Sequence, residues 1–286
     1  MRVIALRSGQ PYRGGVSAFG TQLRQWRTAR GLSQLDLANE AGVSQRHVSF
    51  LETGRSTPSA RMVARLSGVL SVAPREQNLM LNAAGFAPVF TETPLDMLGQ
   101  VEAVVTQILA VHEPYVAVVL DRQWNVLRSN DAAGRFTATV FPEPPGWLVP
   151  PLNMMRLALH PEGLRPHLTD WERPAAAMLR RLRRDASSQP HDEGLQTLLD
   201  EVLTYPQVAD LGHRPAEATA GDLLLRWTYR LDGVEVSLFT TIMTMGDAHD
   251  LTVSELRLET FWPADEGSAQ WWRSAFPAER TARADG

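Results

Sequence analysis

The chain has 286 residues, of which 44% are hydrophobic and 21% are charged, an ordinary composition for a globular protein. It contains no cysteine, which excludes disulfide bonds and thiolate metal sites. No apolar run reaches the roughly 18 residues of a membrane-spanning helix, and the N-terminal residues lack the long apolar segment of a secretory signal. We therefore expect a cytoplasmic protein of about two domains with no membrane association.

The net charge of −4 conceals an uneven distribution along the chain. Residues 1–88 contain 11 arginines and four acidic residues, a net charge of +7. The remaining residues contain 17 arginines and 28 acidic residues, a net charge of −11. A basic segment followed by an acidic one predicts that the basic segment binds a polyanion.

The basic segment begins with a stretch rich in Gly, Arg and Pro, residues 1–16, which we expect to be a flexible arm. Residues 17–88 are predicted to be an all-α domain of five short helices, because apolar residues recur there at helical spacing. Residues 87–94, APVFTETP, are a Pro- and Thr-rich joint, and we expect the domain boundary to lie in it.

Residues 33–54, SQLDLANEAGVSQRHVSFLETG, have the length of two short helices joined by a tight turn at Ala41 and Gly42. In a helix-turn-helix, the second helix lies in the major groove of DNA and its first residues contact base edges. Such a motif needs small turn residues, an apolar inward face and a polar outward face. The predicted inward-facing residues are Leu37, Val43, Val48 and Leu51.

The outward face carries side chains suited to reading bases, because Gln pairs with adenine and Arg with guanine in the major groove. We expect Gln45, Arg46 and Ser49 to contact bases, and Gln34 and Arg55 to contact the DNA backbone, where contacts position the protein without specifying sequence. Phe50 either meets a thymine methyl group or packs on the following loop. The predicted DNA-binding set is Gln34, Ser44, Gln45, Arg46, Ser49, Phe50, Arg55 and Ser56.

Residues 17–86 resemble the phage-repressor-like (xenobiotic-response-element) helix-turn-helix family, on the stretch LRQWRTARGLSQLDLANEAGVSQRHVSFLETGRSTPS. The resemblance implies a sequence-specific transcription factor whose partner is double-stranded DNA. The alternative is a protein-binding helical bundle, which the charge of +7 on residues 1–88 disfavours.

Residues 95–264 are predicted to form an α+β domain with an antiparallel sheet, in which a helical insert separates two strands from three more and the helices cover one sheet face. The predicted strands are 115–121, 124–130, 222–233, 234–245 and 251–263. The predicted helices are 95–112, 152–160, 167–186 and 193–204. Alternation places Arg226, Arg230, Glu235, Arg257 and Glu259 on the outward face. Residues 265–286 are predicted to be a polar tail.

No GxSxG, HExxH, P-loop or Rossmann glycine pattern occurs in the sequence, so we expect neither an enzyme nor a cofactor. His160 and His167 flank the segment PEGLRP close to Asp170. These residues either bind a metal or brace the helical insert, and their spacing favours bracing, so we predict no metal site.

The helical insert is rich in Met, Leu and aromatic residues, which are suited to line an adaptable cavity or simply to form a core. Arg156 lies in this apolar segment, and a buried Arg needs an anionic partner, either a protein carboxylate or a ligand carboxylate. The predicted ligand-binding set is Tyr115, Trp124, Trp147, Met154, Met155, Arg156, Leu159, His160, His167, Trp171, Met178, Trp227 and Tyr229.

Residues 100–263 are similar to the ligand-binding domain of MmyB-like transcription regulators, on DRQWNVLRSNDAA, NMMRLALHPEGLRPHLTDWERPAAAMLRRLRRD, LRWTYRLDG and LTVSELRLETFWP. The resemblance implies a PAS-like fold that binds a fatty acid or a similar lipid. Asp170 stands where the family often has Asn, and an acid there disfavours a ligand carboxylate nearby. We predict a ligand-responsive, homodimeric regulator, since operator half-sites mirror a two-fold axis. The alternative is a second domain that serves only dimerisation or protein docking.

Overall fold

The computed structural model describes residues 17–212, 224–231, 233–246, 248 and 250–276. The chain divides into two compact units, the first ending at Thr91 and the second beginning at Glu92. This division lies within the Pro- and Thr-rich joint of the sequence. The predicted arm, residues 1–16, lies outside the described residues.

The first unit is a helical bundle built around its own apolar core. Its helices are α1 (Ala18–Ala29), α2 (Gln34–Glu40), α3 (Gln45–Glu52), α4 (Ala60–Val69) and α5 (Pro74–Ala83). Ser33 and Ser44 cap α2 and α3, each accepting a hydrogen bond from the backbone three residues on. Gly42 turns the chain between these helices with a φ of +62°, a conformation that costs glycine little.

The inward faces of α2 and α3 fix the angle between the two helices. Leu37, Val48 and Leu51 are fully buried, whereas Val43 in the turn is half-buried. Gly20 lets α1 approach the end of α3 closely, because a Cβ atom at that position would lie 2.6 Å from the Glu52 carbonyl oxygen. The bundle therefore holds α3 by its apolar side and leaves its polar side outward.

The second unit contains an antiparallel sheet with strand order β2-β1-β5-β4-β3. The strands are β1 (Ala117–Leu120), β2 (Val126–Ser129), β3 (Arg226–Leu231), β4 (Val234–Thr244) and β5 (Arg257–Pro263). Consecutive strands form two antiparallel hairpins, β1 with β2 and β3 with β4. Asp232 of the second turn lies outside the described residues, and Gly233 has a φ of +78°. The prediction of an α+β domain is confirmed.

Helices cover both faces of this sheet. They are α6 (Gly99–Val111), α7 (Asp131–Val140), α8 (Met154–Leu159), α9 (Glu172–Ser188), α10 (Glu193–Leu203), α11 (Val208–Leu211), α12 (Leu251–Glu255) and α13 (Glu266–Ala275). The prediction that helices lie on one face only is wrong. Val105 and Leu109 of α6 pack with Val119 and Leu258 on the face opposite the helical insert. Strand β1 is accordingly buried on both sides.

Three further sequence predictions need correction. The helix α7 follows β2 directly, where no element was assigned, and Asn130 caps it. Residues 251–255 are helical, because Asp250 caps α12 before β5 begins. The first part of the predicted polar tail is the helix α13, whose Trp272 is fully buried in the core of the unit. Residues 277–286 of that tail lie outside the described residues.

The prediction that Glu259 faces outward is also wrong. Its side chain is buried, with only 3% of the residue exposed. Glu259 pairs with Val118 of β1 and with Ile242 of β4, so it lies in the middle of the sheet. Alternation along one strand cannot reveal burial on both faces, because that depends on which helices cover the sheet.

Candidate functional site

The outward face of α3 carries the predicted base-contacting residues. Gln45 and Arg46 are exposed at the first two positions of the helix, and Ser49 is half-buried one turn later. The Ser44 hydroxyl accepts a hydrogen bond from the His47 backbone N–H at 3.2 Å, which caps the helix. These residues occupy the N-terminal turns of the second helix of the motif, the part that contacts base edges in helix-turn-helix proteins.

Phe50 lies between two arginines on this face. The guanidinium carbons of Arg46 and Arg55 are 5.0 and 5.9 Å from the centre of the Phe50 ring, within the range of a cation–π contact. The Phe50 carbonyl also accepts hydrogen bonds from the backbone N–H groups of Arg55 and Ser56, at 2.8 and 3.2 Å. The Phe50 ring and carbonyl thus connect Arg46, near the start of α3, with Arg55 and Ser56 in the loop that follows the helix.

Glu52, which the sequence did not single out, ties three helices of the bundle together. It is 4% exposed and accepts hydrogen bonds from Arg27 Nε at 2.6 Å and from Arg27 Nη2 at 3.2 Å. Gln34 Nε2 also donates to Glu52, at 2.8 Å. The Gln34 side chain, which was predicted to contact a DNA phosphate, therefore already has a hydrogen-bond partner within the protein. The role of Glu52 could have been inferred from the sequence, because it is an acidic residue at the end of α3 within a basic segment.

The second unit contains an apolar cavity of about 420 Å³ between the sheet and the helices α7 and α8. This volume is within the range of about 300–1,000 Å³ typical of small-molecule sites. The sheet contributes Val116, Val118, Val126, Ser129, Tyr229, Leu238 and Phe261. The first covering helix and its C-cap contribute Ala133, Gly134, Phe136, Thr137, Ala138 and Phe141. The remaining lining residues are Pro142, Pro144, Leu152, Met154, Leu157 and Leu164.

The predicted ligand-binding residues lie in three kinds of position. Met154 and Tyr229 line the cavity. A second group is buried in the core of the unit without lining it: Trp124, Met155, Leu159, Trp171, Met178 and Trp227. The third group is half-buried and also lies outside the lining: Tyr115, Trp147, Arg156, His160 and His167. The ligand contacts of these residues remain predictions.

Arg156 pairs with a protein carboxylate. Its Nε and Nη2 donate to the two oxygens of Glu201 at 2.8 and 2.7 Å, and the Tyr205 hydroxyl donates to Glu201 at 2.6 Å. The hydrogen bonds from Arg156 lower the pKa of Glu201 against the opposing effect of burial. The sequence left a protein carboxylate and a ligand carboxylate open as the partner of Arg156, and the structure contains the protein carboxylate.

The two histidines of the insert contact aromatic rings. The His160 ring lies 4.2 Å from the Trp147 ring and 5.0 Å from the Tyr205 ring. The His167 ring lies 6.1 Å from Phe141, and burial lowers the pKa of His167. No group of three His, Asp or Glu side chains in the described parts of the chain is arranged to hold a metal ion. Both histidines have the contacts of bracing residues.

Tyr229 is the buried polar residue of the cavity wall. It is 1% exposed, its ring packs edge-on against Phe136 at 5.4 Å, and its hydroxyl makes no hydrogen bond with any other described residue. Burial, and next the negative charge of Glu259, raise the pKa of Tyr229, so the phenol stays protonated at neutral pH. Its hydroxyl is therefore free to donate to a ligand or to accept from one.

Sequence reasoning missed most of the cavity wall, because it assigned no element to residues 131–140. The available signal was Asn130, a good N-cap, followed by Ala132, Ala133 and Phe136 at helical spacing. Phe141, Pro142 and Pro144 also line the cavity, although no predicted element contained them.

A helix-turn-helix with an exposed polar reading face, joined to a unit with an apolar cavity, defines a DNA-binding transcriptional regulator with a ligand-binding domain. The chain belongs to the family of the MmyB-like transcription regulator ligand binding domain, whose model matches residues 101–275. A helix-turn-helix family model matches residues 23–77. These are families of transcription regulators and not of enzymes, as predicted. No helix in the described ranges combines the length and the hydrophobicity needed to cross a membrane.

Two relatives each match about a quarter of the chain or less. The uncharacterized HTH-type transcriptional regulator RghRB of Bacillus subtilis (strain 168) is 44% identical over 78 residues, which are 27% of this chain and 54% of that protein. This chain thus spans about half the length of that curated relative. The crystal structure of the restriction-modification controller protein C.AhdI from Aeromonas hydrophila is 38% identical, covers 21% of this chain and 92% of that one, and has a TM-score of 0.21.

Proposed function

We propose that this regulator binds a small apolar or amphiphilic molecule, with a fatty acid or a similar lipid as the class, in the cavity beneath α7. The observation that carries the proposal is an apolar cavity of about 420 Å³ in a domain of a ligand-binding family. Ligand binding changes operator affinity if the ligand has different affinities for two conformations of the protein. A PAS-like fold of this domain is part of the proposal.

The DNA half of the proposal assigns base reading to Gln45, Arg46 and Ser49. Gln34, Ser44, Phe50, Arg55 and Ser56 position the helix or contact the DNA backbone. The exposure of Gln45 and Arg46 at the start of α3 supports this division. We further propose a homodimer, because two such helices can occupy half-sites about 34 Å apart on a two-fold operator.

The test of the DNA half compares Arg46→Ala with the unchanged protein on an operator fragment and on a scrambled fragment. A lost bidentate contact to guanine costs about 1–3 kcal/mol on the operator alone, so specific affinity should fall roughly fivefold to 150-fold more than nonspecific affinity. Fluorescence anisotropy at fixed salt measures both affinities. Equal losses on the two fragments would remove Arg46 from the base-reading set.

The test of the ligand half fills the cavity from Gly134. This residue lines the cavity from α7, and a Cβ atom there would meet no atom within 4 Å. Gly134→Phe should therefore fold and abolish binding of a dodecanol probe, because the ring occupies ligand space. The matched control is Gly134→Ala, which gains about 1 kcal/mol of helix propensity without filling the cavity. Isothermal titration calorimetry should find binding retained by the control and lost by Gly134→Phe.

Native mass spectrometry of protein purified from cells separates this proposal from a docking-only second domain. A retained lipid mass that disappears in Gly134→Phe supports the ligand role. Protein that is free of small molecules, and that binds no lipid probe, would instead favour a domain that serves dimerisation or protein docking. Operator affinity measured with and without saturating probe then tests whether occupancy affects DNA binding.

A further inference from the structure

The cavity wall offers a ligand hydrogen bonds but no charge. None of the described lining residues is Arg, His, Asp or Glu. Its polar side chains are Ser129, Thr137 and Tyr229. Thr137 already donates to the Ala133 carbonyl at 2.8 Å, and Ser129 is exposed at the end of β2. Tyr229 is therefore the buried group that remains to pair with a polar atom of the ligand.

Three arginines near the cavity pair with protein carboxylates. Arg135 on α7 donates to Glu113 at 2.6 Å. Arg156 on α8 forms its two hydrogen bonds with Glu201. On the sheet, Arg257 pairs with Asp185 at 2.9 Å and lies 4.3 Å from the centre of the Trp124 ring. A carboxylate in the cavity would compete with Glu113, Glu201 and Asp185 for these three arginines.

Glu259, which lies beside the cavity on β5, also disfavours an anionic ligand. Glu259 lies two residues before Phe261 and pairs with Val118, and both of these residues line the cavity. Every second side chain of a strand lies on the same face of a sheet, so the Glu259 and Phe261 side chains share the cavity face. Any negative charge on Glu259 disfavours a second anion near Tyr229.

We propose that the cavity selects an uncharged ligand, an apolar chain with one neutral hydroxyl, carbonyl or ester group that pairs with the Tyr229 hydroxyl. This inference rests on the proposed function, because it assumes that the cavity is the ligand site. It narrows the proposed apolar or amphiphilic ligands to those whose polar head group is uncharged. A fatty acid then enters the cavity in its protonated form, and its carboxylate form is excluded because burial of an unpaired charge is unfavourable.

The experiment compares three probes of equal chain length on the full chain at pH 8: dodecanol, methyl dodecanoate and dodecanoate. Each is titrated below its aggregation concentration, and binding is measured by displacement of a fluorescent apolar dye. We expect dodecanoate to bind at least about tenfold more weakly than dodecanol. Tyr229→Phe keeps the ring and removes the hydroxyl, and it should weaken dodecanol binding by about fivefold.

The matched control is Tyr205→Phe, which removes a hydroxyl from a tyrosine that bonds Glu201 outside the cavity lining. It should leave the order of the three probes and the dodecanol affinity unchanged. Dodecanoate binding as tightly as dodecanol, or Tyr229→Phe binding dodecanol as tightly as the unchanged protein, would overturn the inference while leaving the ligand cavity in place. Failure of all three probes to bind would overturn the proposed ligand site together with this inference.

Discussion

At the scale of single residues, the burial of the Glu259 carboxyl group is unfavourable for the stability of the second unit. Its Oε2 atom is buried and makes no hydrogen bond with the described residues. Burial raises the pKa of Glu259, and the nearby charges of Arg181 and Arg257 only partly oppose this effect. A carboxyl with a raised pKa costs stability once it must ionise in the folded protein.

Glu259→Gln should therefore stabilise the second unit, and the gain should grow with pH. A folded pKa above the unfolded value of about 4.3 means that the folded state binds more protons, so stability falls as pH rises through that window. The cost is absent below about pH 4 and complete above the folded pKa. Urea unfolding at pH 4, 6 and 8 should show a gain of roughly 1–3 kcal/mol at the highest pH and little at the lowest.

The control for this substitution is Glu235→Gln on β4. Glu235 is exposed and pairs with exposed Arg230 at 3.3 Å, so its replacement should change stability by less than about 0.5 kcal/mol at every pH. A Glu259→Gln protein that loses stability as pH rises, relative to the unchanged chain, would show that Arg181 and Arg257 hold the ionised carboxylate.

At the scale of elements, one carboxylate joins three helices of the basic unit. Glu52 at the end of α3 accepts from Arg27 of α1 and from Gln34 of α2. Arg27 also donates to the Leu32 carbonyl between α1 and α2, at 2.7 Å. The position of the reading helix thus depends on a buried ion pair as well as on apolar packing.

Glu52→Ala should loosen this bundle, because it leaves Arg27 without its anionic partner. Removing one member of a buried pair typically costs about 3–5 kcal/mol. Hydrogen exchange of the α3 amides, followed by mass spectrometry, measures the lost free energy of opening. The control is Glu40→Ala at the exposed end of α2, where the expected change is below about 0.5 kcal/mol. Equal protection in the two variants would mean that packing alone holds α3.

The predictability of each element followed the kind of signal that it carries. Helices α1 to α5 were predictable because Ser33, Ser44 and Pro74 mark their starts and apolar residues repeat at 3.6-residue spacing. The strands were predictable from alternation and from Gly233. The short helix α12 was not, because Leu251 and Val253 alternate with the polar Thr252 and Ser254 as in a strand. The cavity was unpredictable because it depends on how α7 packs on the sheet.

At the scale of the whole molecule, charge and chemistry separate the two activities. Residues 1–88 carry +7 and the remainder −11, so the net attraction to phosphate comes from residues 1–88. The described lining of the cavity carries no charge at all. If ligand binding alters operator affinity by some factor, operator binding must alter ligand affinity by the same factor. Either equilibrium can therefore report the coupling between the units.

The stack of Arg46, Phe50 and Arg55 has a consequence for how strongly DNA is bound. A free arginine side chain samples many rotamers, and immobilising such a side chain at an interface costs about 0.5–1.5 kcal/mol. Arg46, at 5.0 Å from the Phe50 ring, is partly ordered before any DNA arrives. If Arg46 contacts guanine as proposed, less of its binding energy goes into ordering the side chain, and more is left to discriminate guanine from the other bases.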